Sequence, residues 1–155
     1  MLTKEERKNH NALFWGEFNR FSRTFRSASG KRTNWLNYRT RIKFIFLRLE
    51  ATNNYVALNF DIQPKDDGIR QIFWEQMGEL KMVLTNAIDG DSGIWIEKEY
   101  SEVLGEFSRI QWKLEGVDYY NPEDKEKIFS FFKDKLLGFD QFYNDFNEIL
   151  ILLSK

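Results

Sequence analysis

The chain of 155 residues has no cysteine and one histidine, His10. The first absence excludes a disulfide framework, a thiolate metal site and a cysteine nucleophile. The second excludes Ser-His-Asp and Cys-His triads and any zinc site that needs several nitrogen or sulfur ligands. No cofactor is expected. No stretch approaches the roughly 20 apolar residues of a membrane span. The N-terminal "MLTKEERKNHN" is charged where a secretory signal needs an apolar run. A cytoplasmic protein with no membrane partner is therefore expected. Neither common Gly-rich phosphate loop is found. "DGDSG" at 89–93 opens like a calcium loop, but Gly93 occupies the fifth position and Tyr100 the twelfth, where a bidentate Glu is needed. It reads as a turn.

What the chain has in plenty is rings. Fifteen Phe and five Trp, in a sequence 42% hydrophobic, predict a single domain over 1–155 with a core built mainly from aromatic side chains. Charge is unevenly spread behind a net of −1. Residues 1–50 hold twelve Lys and Arg against four acids, a net of +8, and the remainder holds eleven against twenty, a net of −9.

Thr3-Lys4-Glu5-Glu6 has the spacing of a capping box and predicts a helix start. Phe14, Phe18, Phe21 and Phe25 continue it at i, i+4, i+7 and i+11, with Ser27-Ala28-Ser29-Gly30 as the stop. "KFIFLRLEATNNYVALNFDIQ" then alternates on both sides of Asn53-Asn54, a pair suited to a type I′ hairpin turn. Pairing outward sets Ala51 opposite Val56 and Ile45 opposite Ile62. One face is then apolar, and Arg48, Asn59 and Asp61 fall on the other, which reads as the solvated side of an antiparallel sheet. Beyond Pro64, the positions Ile69, Phe73, Met77, Leu80, Leu84 and Ala87 predict a second helix capped by Asp66 or Asp67, with Gly78 as its weak point. "IWIEKEY" and "FSRIQWKLEGV" alternate again, with Ile110, Trp112 and Leu114 inward and Arg109, Gln111, Lys113 and Glu115 toward water. Asn121-Pro122-Glu123-Asp124 opens a terminal helix of about 30 residues. The reading is α+β: an antiparallel sheet of about four strands with three helices packed against it, in the order α-β-β-α-β-β-α.

Candidates for chemistry are few. His10 reads as an exposed helix residue. A small metal-dependent nuclease would need only carboxylates and Mg²⁺, and the strand acids Asp61, Glu97 and Glu99 are the candidates. Glu97 and Lys98, however, are adjacent and point to opposite faces. The basic segment offers more. Between Glu17 and Glu50 there is no acid, while Arg20, Arg23, Arg26, Lys31, Arg32, Arg39, Arg41, Lys43 and Arg48 accumulate beside Trp35 and Tyr38. Such a surface can neutralise phosphates and stack bases. The competing reading sets these cations against the acidic half, within the fold or across a dimer, and the near-zero net charge favours it. Trp35 is read as a core ring. Ile149-Leu150-Ile151-Leu152-Leu153 is apolar nearly all round, so it must pack centrally or form a homodimer contact. Two partners stay open: nucleic acid through the basic segment, or another protein, a second copy included, through the last helix.

"NWLNYRTRIKFIFLRLEA", "IRQIFWEQMGELKMVL", "SRIQWKLEGVDYY" and "FFKDKLLGFDQFYNDF", in that order and at these spacings, resemble a bacterial family known as domain of unknown function 4268. Longer members of that family resemble proteins that carry this domain behind an endonuclease-like module. The resemblance implies an accessory role here, because 155 residues leave no room for that module. The expectation is a non-catalytic binding or protein-interaction module associated with nucleic-acid processing or defence, with the strand-carboxylate nuclease as the alternative.

Overall fold

A computed structural model describes residues 1–155. Helix α1 spans Lys4–Ser22 and opens with the expected capping box, in which the Thr3 hydroxyl accepts from the Glu6 N–H and the Glu6 carboxylate from the Thr3 N–H, each at 3.1 Å. It ends at Ser22, before the expected stop. The hydroxyls of Ser22 and Thr24 donate to the carbonyls of Asn19 and Phe21 at 2.7 Å, so side chains occupy acceptors that another helical turn would have used. Phe25 therefore lies beyond the helix, yet it remains buried.

Strands β1 (Ile45–Ala51) and β2 (Tyr55–Ile62) pair in the predicted register, Ala51 with Val56 and Ile45 with Ile62. The turn between them is not type I′, since neither Asn53 nor Asn54 has a positive φ. The Thr52 hydroxyl shapes it instead by accepting from the N–H groups of Asn54 and Tyr55 at 3.1 and 3.0 Å. The carbonyls of Thr52 and Asn54 accept from the N–H groups of Tyr119 and Gly116, which ties the turn to the chain leaving the sheet. Strands β3 (Ile94–Ser101) and β4 (Gly105–Glu115) complete an antiparallel sheet of order β1-β2-β4-β3. A bulge between Ile96 and Glu99 interrupts the pairing of β3 with β4.

The expected second helix is two, α2 (Asp67–Glu79) and α3 (Lys81–Ala87), broken at Leu80 just past Gly78, so the fold has four α-helices where three are predicted. Asp66 is the cap of α2, accepting from the Ile69 N–H at 3.0 Å. Ile69 is 45% exposed, not inward. Arg70 takes the inner position, bonded to the Pro64 carbonyl at 3.1 Å, the Glu106 carboxylate at 2.5 Å and the Asp67 carboxylate. Asn121 caps one short 3-10 turn, Pro122–Asp124, and α4 runs from Lys125 to Leu153. Helices α2 and α4 cover the apolar face of the sheet. Phe139 of α4 meets Phe60 and Trp112 at ring separations of 5.0 and 6.0 Å, and Trp74 of α2 meets Trp95 at 5.3 Å. Helix α1 stacks on α4 through Phe18, Phe129 and Phe132. Most of the buried apolar side chains form one cluster, with Ala57 and Phe107 outside it. Leu150 is buried in it, whereas Leu152 near the end of α4 is 68% exposed.

The other face of the sheet corrects a prediction. Asn59 and Asp61 are only 4% and 3% exposed although no helix covers them. The register places complementary groups side by side, and they cover one another. Arg109 donates to both Asp61 oxygens at 2.7 and 2.9 Å, Gln111 to the Asn59 Oδ1 at 2.9 Å, and Asn59 to Glu50 at 3.0 Å. Asp61 in turn holds the Arg109 guanidinium above its ordinary pKa range. Arg48 lies over the Phe46 ring and Lys113 over Tyr55, each at 4.1 Å. No helix is long and apolar enough to cross a membrane.

Candidate functional site

Between α1 and β1 the chain makes a long excursion over residues 140–147 of α4. Ser27 and Lys31 close its first turn, where Gly30 at φ 79° supplies a conformation most residues avoid, and the Gly30 N–H donates to the Ser27 carbonyl at 2.8 Å. The Trp35 ring then plugs into the core at 1% exposure, 5.2 Å from Phe25, as expected for a core residue. With both ends pinned, the intervening residues face α4 across a cleft of about 780 Å³. Lys31, Arg32, Arg39 and Arg41 line it, with Asn34 and Asn37 on the loop and Asn144 and Asn147 on the helix.

Asp140 forms the floor. Only 1% exposed, it accepts from the Ser27 hydroxyl at 3.0 Å, the Ala28 N–H at 2.7 Å, the Tyr38 hydroxyl at 2.7 Å and the Asn144 amide at 3.0 Å. One carboxylate thus latches both ends of the basic loop to α4. Burial, together with this bond to Asp140, pushes the Tyr38 phenol well above its ordinary pKa. A second latch lies beside it. The Tyr143 hydroxyl donates to the Thr40 carbonyl at 2.6 Å, and the Thr40 hydroxyl donates to the carbonyls of Ile42 and Ile45. Between these fixed points Arg41 holds a φ of 69°, a left-handed conformation unusual for a residue that is neither glycine nor asparagine.

Of the predicted basic residues, Lys31, Arg32, Arg39 and Arg41 come together, whereas Arg20, Arg23 and Arg26 lie outside the cleft. None of the cations between residues 20 and 48 takes part in the molecule's six ion pairs. The one pair joining the two halves has the opposite polarity, Lys125 of the acidic half on Glu17 of the basic half at 2.6 Å. That lysine holds the Glu17 carboxylate below its usual range. Charge balance by direct pairing within the fold therefore does not account for the basic segment. Ser27 and Tyr38 figure in the sequence as a helix stop and as a ring beside the cations, but Asp140, Asn144, Thr40 and Tyr143 are not predicted there as latch residues. Their one signal was Asp140 itself, a carboxylate set between Leu136 and Tyr143 on an otherwise apolar stripe.

The strand carboxylates do not assemble. Asp61 is engaged by Arg109, Glu97 borders a shallow depression beside Asp67 and Arg70, and Glu99 lies across from Phe107. No three His, Asp or Glu side chains meet as metal ligands. His10 is not exposed as expected. It is half-buried, with Nε2 donating to the Tyr119 carbonyl at 2.9 Å and the ring 4.7 Å from that of Tyr120, because this part of α1 packs on the segment leaving β4.

An α+β chain with a four-stranded antiparallel sheet, helices on one face and a basic cleft beside its last helix is the class that these observations define. The chain belongs to the family described as Domain of unknown function (DUF4268), whose profile matches residues 11–147. That span includes the whole cleft. No curated protein and no solved structure matches the chain.

Proposed function

We propose that the chain is a non-catalytic binding module that takes the phosphate backbone of a nucleic acid in the cleft between the 27–41 loop and α4, as an accessory to nucleic-acid processing or defence. The observation that carries this reading is the convergence of Lys31, Arg32, Arg39 and Arg41 on one polar cleft with no acid paired to any of them. Unpaired cations held close together repel one another, and an anion with several negative charges relieves that repulsion while releasing its own counterions.

A titration of single-stranded nucleic acid by fluorescence anisotropy tests it. Four cations on four phosphates predict a slope of log K against log salt of about −3. The K31A/R32A double variant should bind more weakly with a shallower slope, and its fold should be intact because both residues are exposed. Absence of binding at low ionic strength, or binding indifferent to salt, would overturn the proposal.

A further inference from the structure

The cleft has two unlike kinds of lining. Beside the four cations stand amides with nothing to bond within the protein, since the side chains of Asn34, Asn37 and Asn147 make no internal hydrogen bond. Asn144 uses its Nδ2 on Asp140 and Ser27, which leaves its Oδ1 free to accept. An amide both donates and accepts. Aromatic faces are withheld. Trp35 is in the core, and the only rings lining the cleft, Tyr38 and Tyr143, are anchored by their hydroxyls to Asp140 and to the Thr40 carbonyl. A site that grips single strands by stacking bases needs free rings, and this one has none. What it offers is charge for phosphate, and neutral donor-acceptor groups for a ligand rich in hydroxyls. The ribose 2′-hydroxyl, itself a donor and an acceptor, is the group that distinguishes RNA from DNA.

The backbone supports a built site. Arg41 is kept in a left-handed conformation by the bonds of Thr40 on one side and Tyr143 below, and such conformations persist where the surroundings over-determine them, commonly at ligand clamps. The volume of about 780 Å³ lies in the range of sites that enclose small ligands.

Resting on the nucleic-acid reading above, we propose that the cleft recognises RNA in preference to DNA, with phosphates on Lys31, Arg32, Arg39 and Arg41 and ribose 2′-hydroxyls on Asn34, Asn37 and Asn147. Recognition is of the sugar-phosphate backbone and therefore largely indifferent to base sequence.

The test is a competition titration with one unstructured single-stranded sequence made as RNA, as DNA and as 2′-O-methyl RNA. RNA should bind about tenfold more tightly than DNA, the ratio that one or two net hydrogen bonds supply. The 2′-O-methyl strand should fall toward DNA because it has lost the donor. The N37A/N147A variant should lose the preference for RNA, read as the ratio of RNA to DNA affinity, and N34A, at an exposed position, should lose part of it. Equal binding of RNA and DNA overturns the ribose assignment and leaves the nucleic-acid reading in place. A preference that survives all three asparagine substitutions overturns it as well. Absence of binding by every strand removes both.

Discussion

Asp140 and Arg41 are the residues on which the cleft depends, and they act in different ways. Asp140 is an acceptor for four donors drawn from three segments. In Asp140→Ala those donors lose their partner in a nearly dry site, a loss of about 3 kcal/mol measurable by urea denaturation. Nucleic-acid affinity should fall with it, although Asp140 is itself negative, because the loop carrying the cations is no longer held against α4. Arg41 presents the reverse case. Glycine adopts its φ without strain but enlarges the unfolded ensemble, and the two effects are each about 1 kcal/mol and of opposite sign. Arg41→Gly should leave the melting temperature nearly unchanged while weakening binding. A marked loss of stability in that variant would show that the arginine serves the fold.

At the scale of elements, two helix glycines that look alike in sequence should respond in opposite directions. A Cβ added at Gly78 in α2 would meet nothing within 4 Å, so Gly78→Ala should stabilise by about 0.5–1 kcal/mol through helix propensity alone. A Cβ added at Gly138 in α4 would come within 2.7 Å of the Ala87 carbonyl oxygen and 3.2 Å of Ile88. Helix α4 can approach the end of α3 only because that side chain is missing. Gly138→Ala should therefore destabilise by about 1–3 kcal/mol despite the same gain in propensity. Thermal melts of the two variants, read side by side, decide the point. The outer face of the sheet teaches a related lesson. Its polar residues alternate as a solvated face should, yet the register joins Glu50, Asn59 and Gln111 in one row and pairs Asp61 with Arg109, so that Asn59 and Asp61 are buried.

Across the whole molecule the buried phenols make stability depend on alkaline pH. Tyr119 is pushed up to about 12 by burial and by its contact with Tyr120, and burial raises Tyr143 and Tyr38 further in the same direction. Below the unfolded value of about 10, each phenol keeps its proton in both states and its contribution is intact. Above that value the unfolded chain ionises first and binds fewer protons than the native state, so stability falls as pH rises from about 10 through 12. Melting temperatures measured across this window should drop steadily while tyrosinate absorbance lags behind that of the denatured chain. Tyr119→Phe should flatten the lower part of the decline.

Helix starts, strand alternation and hairpin register were legible in the chain because each rests on neighbours a few residues apart: Thr3 with Glu6, Ala51 with Val56, Asn121 with Pro122. The nine cations of residues 20–48 were equally legible as composition. Which of them share a cleft was not, because that depends on Asp140 reaching back more than a hundred residues to Ser27 and Tyr38, and on Tyr143 reaching Thr40. The inward Arg70, the buried Asn59 and the packed His10 share that origin. Each is decided by a partner distant in sequence, and local periodicity carries no information about which distant groups the packed core will bring within hydrogen-bond range.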